Sequence, residues 1–103
     1  MSARGTWKVI ARDKSVAAGE TIGEYDARWK WPHGFVVYVE VDAATDIVIE
    51  ASLDKQVWRE IGRVSFSEAG GTHVDYTGWQ GRYPFYRFKS SAAVTVKTLE
   101  VVG

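Results

Sequence analysis

The sequence predicts an all-β fold: a single antiparallel β-sandwich, jelly-roll-like, with about eight strands. Three observations carry that expectation. Residues 47–53 alternate Ile47, Ile49, Ala51 and Leu53 with Val48, Glu50 and Ser52, the period of a strand with one buried face. Turn-forming residues punctuate the chain at short intervals, which suits many short strands. No stretch shows a convincing helical period; residues 13–25 are the one candidate, and Gly19 and Gly23 argue against it.

Taken in order, residues 1–5 read as a flexible N-terminal arm and residues 6–103 as the sandwich domain. Residues 6–11 alternate Trp7, Val9 and Ala11 against Lys8 and Ile10, a first strand, and Arg12, Asp13 and Lys14 form a charged turn. Residues 15–22 are weakly patterned, a short strand ending near Gly19, with a loop at 23–26. Residues 26–31 place Ala27, Trp29 and Trp31 on one side of a strand that Pro32, His33 and Gly34 stop. Residues 35–41 are nearly continuous apolar sequence, so a central strand buried on both faces fits them.

Residues 42–46 turn the chain into the strand at 47–53. Asp54, Lys55 and Gln56 reverse it, because Asp closes turns through its own backbone. Residues 57–64 return, with Trp58 as a core or rim anchor whose replacement by Ala should cost about 3–5 kcal/mol if the ring is buried. Residues 68–71 form a turn whose glycines permit positive φ. A short strand at 72–76 follows, then a loop at 78–81 that carries Trp79. Pro84 places the strand at 83–88 at an edge or at a strand start. After a turn at Ser90 and Ser91, residues 93–102 close the chain. Their apolar parity shifts between Val96 and Leu99, as a β-bulge at Lys97 and Thr98 would produce.

The chain has 103 residues, the size of one domain, long enough to hold a core without covalent staples. It has no Cys, which excludes disulfides and thiolate metal sites. Thirteen basic residues balance 13 acidic ones, without the basic excess of a nucleic-acid binder, and such neutrality is tolerable in a protein that lives in an assembly. No apolar run reaches the ~18 residues of a membrane helix, and the first residues hold no apolar stretch of a secretory signal. Synthesis in the cytoplasm and no membrane partner are therefore expected.

Catalytic chemistry finds little to use. His33 lies in a turn and His73 on the outer face of a strand opposite Val74, and no nucleophile motif accompanies either. The two His lack zinc spacing, and Asp42 and Asp46 read as turn formers rather than calcium ligands, so no metal, cofactor or enzyme activity is expected. Aromatics stand out instead, with five Trp, five Tyr and four Phe. Trp31 is a candidate exposed platform, and Tyr76, Trp79, Arg82 and Tyr83 form a second group around a Gly-flanked loop. Exposed Trp, Tyr and Arg together make interface hot spots, so these five are the candidate binding residues.

Residues 37–101 also resemble small β-sandwich virion proteins of tailed bacteriophages. The residues that carry the likeness are Ser52-Leu53-Asp54, Trp58, Gly70-Gly71, Tyr86-Arg87-Phe88-Lys89 and the valine-threonine strand at 94–96. Discoidin-like and carbohydrate-binding sandwiches share similar arrangements. The resemblance implies a structural protein, a capsid decoration or cement protein first, made in the host cytoplasm and placed on the capsid surface. Its implied partners are the major capsid protein or other virion proteins and copies of itself, a trimer at a symmetry axis being the natural arrangement. The carbohydrate-binding relatives imply the alternative, a module or adhesive tail or head-fibre component that recognises glycans through exposed aromatics, Trp79 foremost.

Overall fold

The computed structural model describes residues 7–28 and 34–103, and the expected arm at 1–5 and the residues Trp29, Trp31 and His33 lie outside them. Eight strands follow one another: β1 (Trp7–Val16), β2 (Thr21–Asp26), β3 (Phe35–Val41), β4 (Thr45–Ser52), β5 (Arg59–Phe66), β6 (Gly70–Tyr76), β7 (Phe85–Ser90) and β8 (Val94–Val102). They form two antiparallel sheets of four, ordered β1-β8-β3-β6 and β2-β7-β4-β5. Every connection crosses between the sheets except the β4–β5 hairpin, which is jelly-roll connectivity. The expected all-β sandwich is therefore what forms.

The core lies between the sheets. β3 contributes Phe35, Val37, Val39 and Val41, and β8 adds Val96, Leu99 and Val101 from beside it. Facing them are Ile47, Ile49 and Ala51 of β4, Tyr86 and Phe88 of β7, and Ile22 and Tyr25 of β2. Each large apolar side chain taken out of water there contributes roughly 1.5–3 kcal/mol. On β3, Val36, Tyr38 and Glu40 of the alternate set are half-buried on the outer face, so the strand is central but turns one face, not both, to the core.

Several elements differ from the sequence expectation for identifiable reasons. β1 runs straight through the charged triplet at 12–14, because Asp13 takes φ 50° and the strand stays paired to β8 on both sides of it. The loop expected at 23–26 is part of β2, where Tyr25 turns inward to Phe35 at 5.8 Å. Leu53 was expected beside Ala51 in the core, yet it is 73% exposed. Ser52 is the cause: its buried hydroxyl accepts the N–H groups of Asp54 and Lys55 at 3.2 and 2.8 Å and turns the chain before Leu53 can face inward. The turn-forming role of Asp54 holds, since its Oδ1 accepts the N–H of Gln56 at 2.8 Å and of Val57 at 3.1 Å.

Trp58 is half-buried and lies on the outer face, with the Arg87 guanidinium 4.4 Å from its ring centre while Arg87 also pairs with Glu50. Trp58→Ala should consequently cost less than the ~3–5 kcal/mol of a buried aromatic. Pro84 precedes β7, which sits inside its sheet, so of the two expected places the strand start is the one observed. The bulge at Lys97 is also present: Glu40 pairs with Thr98 and Val41 with Val96, leaving Lys97 unmatched and exposed. Gly70 and Gly71 do not take positive φ, which is confined among described glycines to Gly19, Gly34 and Gly78.

Gly62 is required for a different reason. A Cβ there would lie 2.0 Å from the Tyr76 hydroxyl and within 2.9 Å of its ring, because Tyr76 of β6 crosses to cover β5 of the other sheet. Gly62→Ala is expected to cost roughly 1–3 kcal/mol in urea unfolding, as overpacking does. Gly70→Ala is the control, since its Cβ would meet nothing nearer than Phe66 at 4.0 Å.

Candidate functional site

Antiparallel order brings the β2–β3, β4–β5 and β6–β7 connections to one end of the sandwich, beside the start of β1 and the end of β8. There the β6–β7 connection forms a short 3-10 helix, Gly78–Gly81, entered through Gly78 at φ 66°. The helix is held against the end of the sandwich by its buried glycine, Gly81. A Cβ on Gly81 would fall 2.6 Å from the Gly34 Cα and 2.7 Å from the Tyr76 carbonyl oxygen, so the two connections touch through backbone. Tyr86, fully buried, fixes the rest: its hydroxyl donates to the Gln80 carbonyl at 2.8 Å and accepts the Tyr83 N–H at 3.0 Å. Burial pushes the Tyr86 phenol up to about 12, the Tyr83 N–H opposing that rise.

A file of aromatic rings runs from the core to this surface. Phe35 meets Tyr86 edge-on with centroids 4.5 Å apart, Tyr86 meets Tyr83 at 6.5 Å, and Tyr83 meets Trp79 at 6.5 Å. Trp79, the outermost, is 61% exposed. Such edge-to-face pairs are favourable beyond their area and hold each ring's orientation. Tyr83 lines two depressions. One is a groove of about 280 Å³ shared with Leu53, Val57 and Arg59. The other is a cleft of about 160 Å³ shared with Gly34, Gly81, Arg82 and Pro84. Leu53 and Val57 are 73% and 58% exposed, so together with Trp79 they make this end the apolar tip of the molecule.

Of the five candidate residues, the structure brings Trp79, Arg82 and Tyr83 together at this tip. Tyr76 is corrected: it is 6% exposed, packs on Phe35 at 5.5 Å and serves the core, because the last residue of β6 points inward before the chain turns at Thr77. Trp31 lies outside the described residues. Sequence reasoning missed Leu53 and Val57. The signal that would have found them is the Ser52–Asp54 turn chemistry, which forces the flanking apolar residues outward.

The outer faces of the two sheets differ. On β2-β7-β4-β5, charges answer one another: Arg87 and Lys89 meet Glu50, Arg63 bridges Asp46 and Glu60, and Lys55 reaches Glu24. On β1-β8-β3-β6, Trp7 is 64% exposed, but its indole N–H donates to Glu100 at 2.9 Å, and the same carboxylate takes Arg12 and Thr98. His73 is exposed opposite the half-buried Val74, as expected, and its ring meets that of Tyr38 at a 47° tilt with centroids 4.7 Å apart. Asp42 accepts the Thr95 N–H at 2.9 Å and Asp46 pairs with Arg63, so the two are engaged separately. Among the described residues no group of three or more His, Asp or Glu is placed to hold a metal ion, and no helix is long and apolar enough to cross a membrane.

These contacts set a pH response. Arg28 lowers the Asp26 carboxyl, Ser65 and Arg63 lower Asp46, and the Gln56 and Val57 N–H groups lower Asp54. Arg63 lowers Glu60, and Thr98 and Trp7 lower Glu100. A carboxyl lowered on folding contributes stability that is present above its ordinary value, 3.8 for Asp and 4.5 for Glu, and is lost as pH falls through the folded value. Tyr25, Tyr76 and Tyr86 are raised above 10.0 by burial, so their contribution is present below that pH and lost above it. Urea midpoints should therefore stay level through neutrality, fall below about pH 4.5 and fall again above about pH 10.

Comparison with protein families, curated proteins and solved structures finds no match to the chain.

Proposed function

We propose that the protein is a non-enzymatic structural component of a phage virion, of the capsid decoration type, which docks on neighbouring shell subunits through the loop end bearing Trp79. One observation carries this reading: Trp79 is 61% exposed on a connection that fully buried Tyr86 pins by two hydrogen bonds. A large aromatic displayed on a rigid support loses little conformational freedom on docking, and Trp, Tyr and Arg side by side are the residues that dominate interface energies. The likeness of residues 37–101 to small virion sandwiches supports the placement on a shell, where many copies repeat one modest contact. The test is to mix the purified protein with emptied heads of the phage that encodes it. It should sediment with them and raise their resistance to heat; failure in both respects contradicts the proposal.

The exposed indole also supports a second reading, glycan recognition. Trp79, held edge-on by Tyr83, offers a flat apolar surface to the apolar face of a sugar ring. A glycan array with Trp79→Ala as control separates the two readings, because specific retention lost in the variant would assign the tip to sugar.

A further inference from the structure

Among the described residues, most arginines are answered by a carboxylate: Arg12 by Glu100, Arg28 by Asp26, Arg63 by Asp46 and Glu60, and Arg87 by Glu50. Arg59 and Arg82 form no ion pair among the described residues, and both stand at the apolar tip. Arg59 lines the groove with Leu53, Val57 and Tyr83, and Arg82 lines the cleft that Tyr83 also borders. The acid that also borders the groove, Asp54, is turned into its own hairpin, with Oδ1 bound by two backbone N–H groups and the Ser52 hydroxyl. Among the described residues, the arginines of the sheet faces are thus paired, and the two without an ion pair stand beside the exposed apolar side chains of the tip.

A guanidinium presents a planar fork of donors that matches a carboxylate, and its charge selects against basic or neutral partners. An apolar groove lined by one such fork, with a second in the neighbouring cleft that shares Tyr83, is complementary to an apolar side chain with acids beside it. We infer that the tip docks an acidic polypeptide surface, in which one large apolar side chain enters the groove between Leu53, Val57 and Tyr83 while neighbouring Asp or Glu carboxylates reach Arg59 and Arg82. This inference rests on the reading of the tip as a docking surface and adds the chemistry of what it docks.

The experiment selects binders to the wild-type protein from a displayed library of random peptides, then measures one selected peptide against variants. Enriched peptides should combine a large apolar residue with flanking Asp or Glu. Binding should fall on the order of tenfold or more with Arg59→Glu plus Arg82→Glu, and should weaken from low to high salt. The melting temperature of the double variant should be unchanged, as for exposed residues without partners. Selected peptides without an acidic excess, equal binding by the charge-reversed variant, or no enrichment at all would overturn the inference. Enrichment of nothing together with retention on an acidic polysaccharide column would overturn it too, assigning the arginines to a glycan. A protein that ignores phage heads yet selects acidic apolar peptides would sink the virion proposal and leave this inference standing.

Discussion

Tyr86→Ala is expected to destabilise the domain by about 3–5 kcal/mol and Tyr86→Phe by about 1–3 kcal/mol. The first removes a fully buried ring that touches Phe35, Tyr25 and Tyr83, leaving a cavity at the end of the core. The second keeps the ring and removes one oxygen, stranding the Gln80 carbonyl and the Tyr83 N–H that it satisfies. Because those two groups belong to the Trp79 connection, Tyr86→Phe should also loosen the tip, seen as faster amide exchange across residues 78–83 with β3 and β8 unaffected. Urea unfolding measures the stability of both. If Tyr86→Phe were neutral in stability and exchange alike, the pinning argument would be wrong.

Trp79→Ala should do the reverse, weakening partner binding by roughly 30-fold or more while moving stability by no more than about 0.5 kcal/mol. The ring is mostly in water and meets the Tyr83 ring at 6.5 Å, so folding gains little from it. Docking would bury what folding leaves exposed. Sedimentation with phage heads reads the first quantity and thermal melting the second. Equal binding by the variant would remove Trp79 from the interface, and a large drop in melting would recast it as a structural residue.

How much was legible in the sequence depended on which physical signal each residue answered. Ile47, Ile49 and Ala51 obey strand period because the β4 side chains alternate between core and surface, and that rule needs only the sequence. The Lys97 bulge was legible for the same reason, as a break in that period. β1 was misread at Asp13 because charge suggests a turn, whereas one residue at positive φ lets an edge strand stay paired. Leu53 was misread because the backbone N–H groups that Ser52 and Asp54 accept, not hydropathy, decide where β4 ends. At the tip, Trp79, Arg82 and Tyr83 were found from composition and a Gly-flanked loop. Tyr76 was wrongly added because sequence proximity does not say which way the end of a strand points. Leu53, Val57 and Arg59 arrive from the β4–β5 hairpin, twenty or more residues before Trp79, through strand order that no local pattern encodes.

Hydrogen exchange on the protein mixed with phage heads, compared with the free protein, tests the proposed docking through the tip most directly. Protection confined to the β4–β5 and β6–β7 connections, around Leu53, Val57, Trp79 and Tyr83, is the predicted result. Protection instead across the outer face of β1-β8-β3-β6, around Trp7, Val9 and Val102, with the tip still exchanging freely, would contradict it.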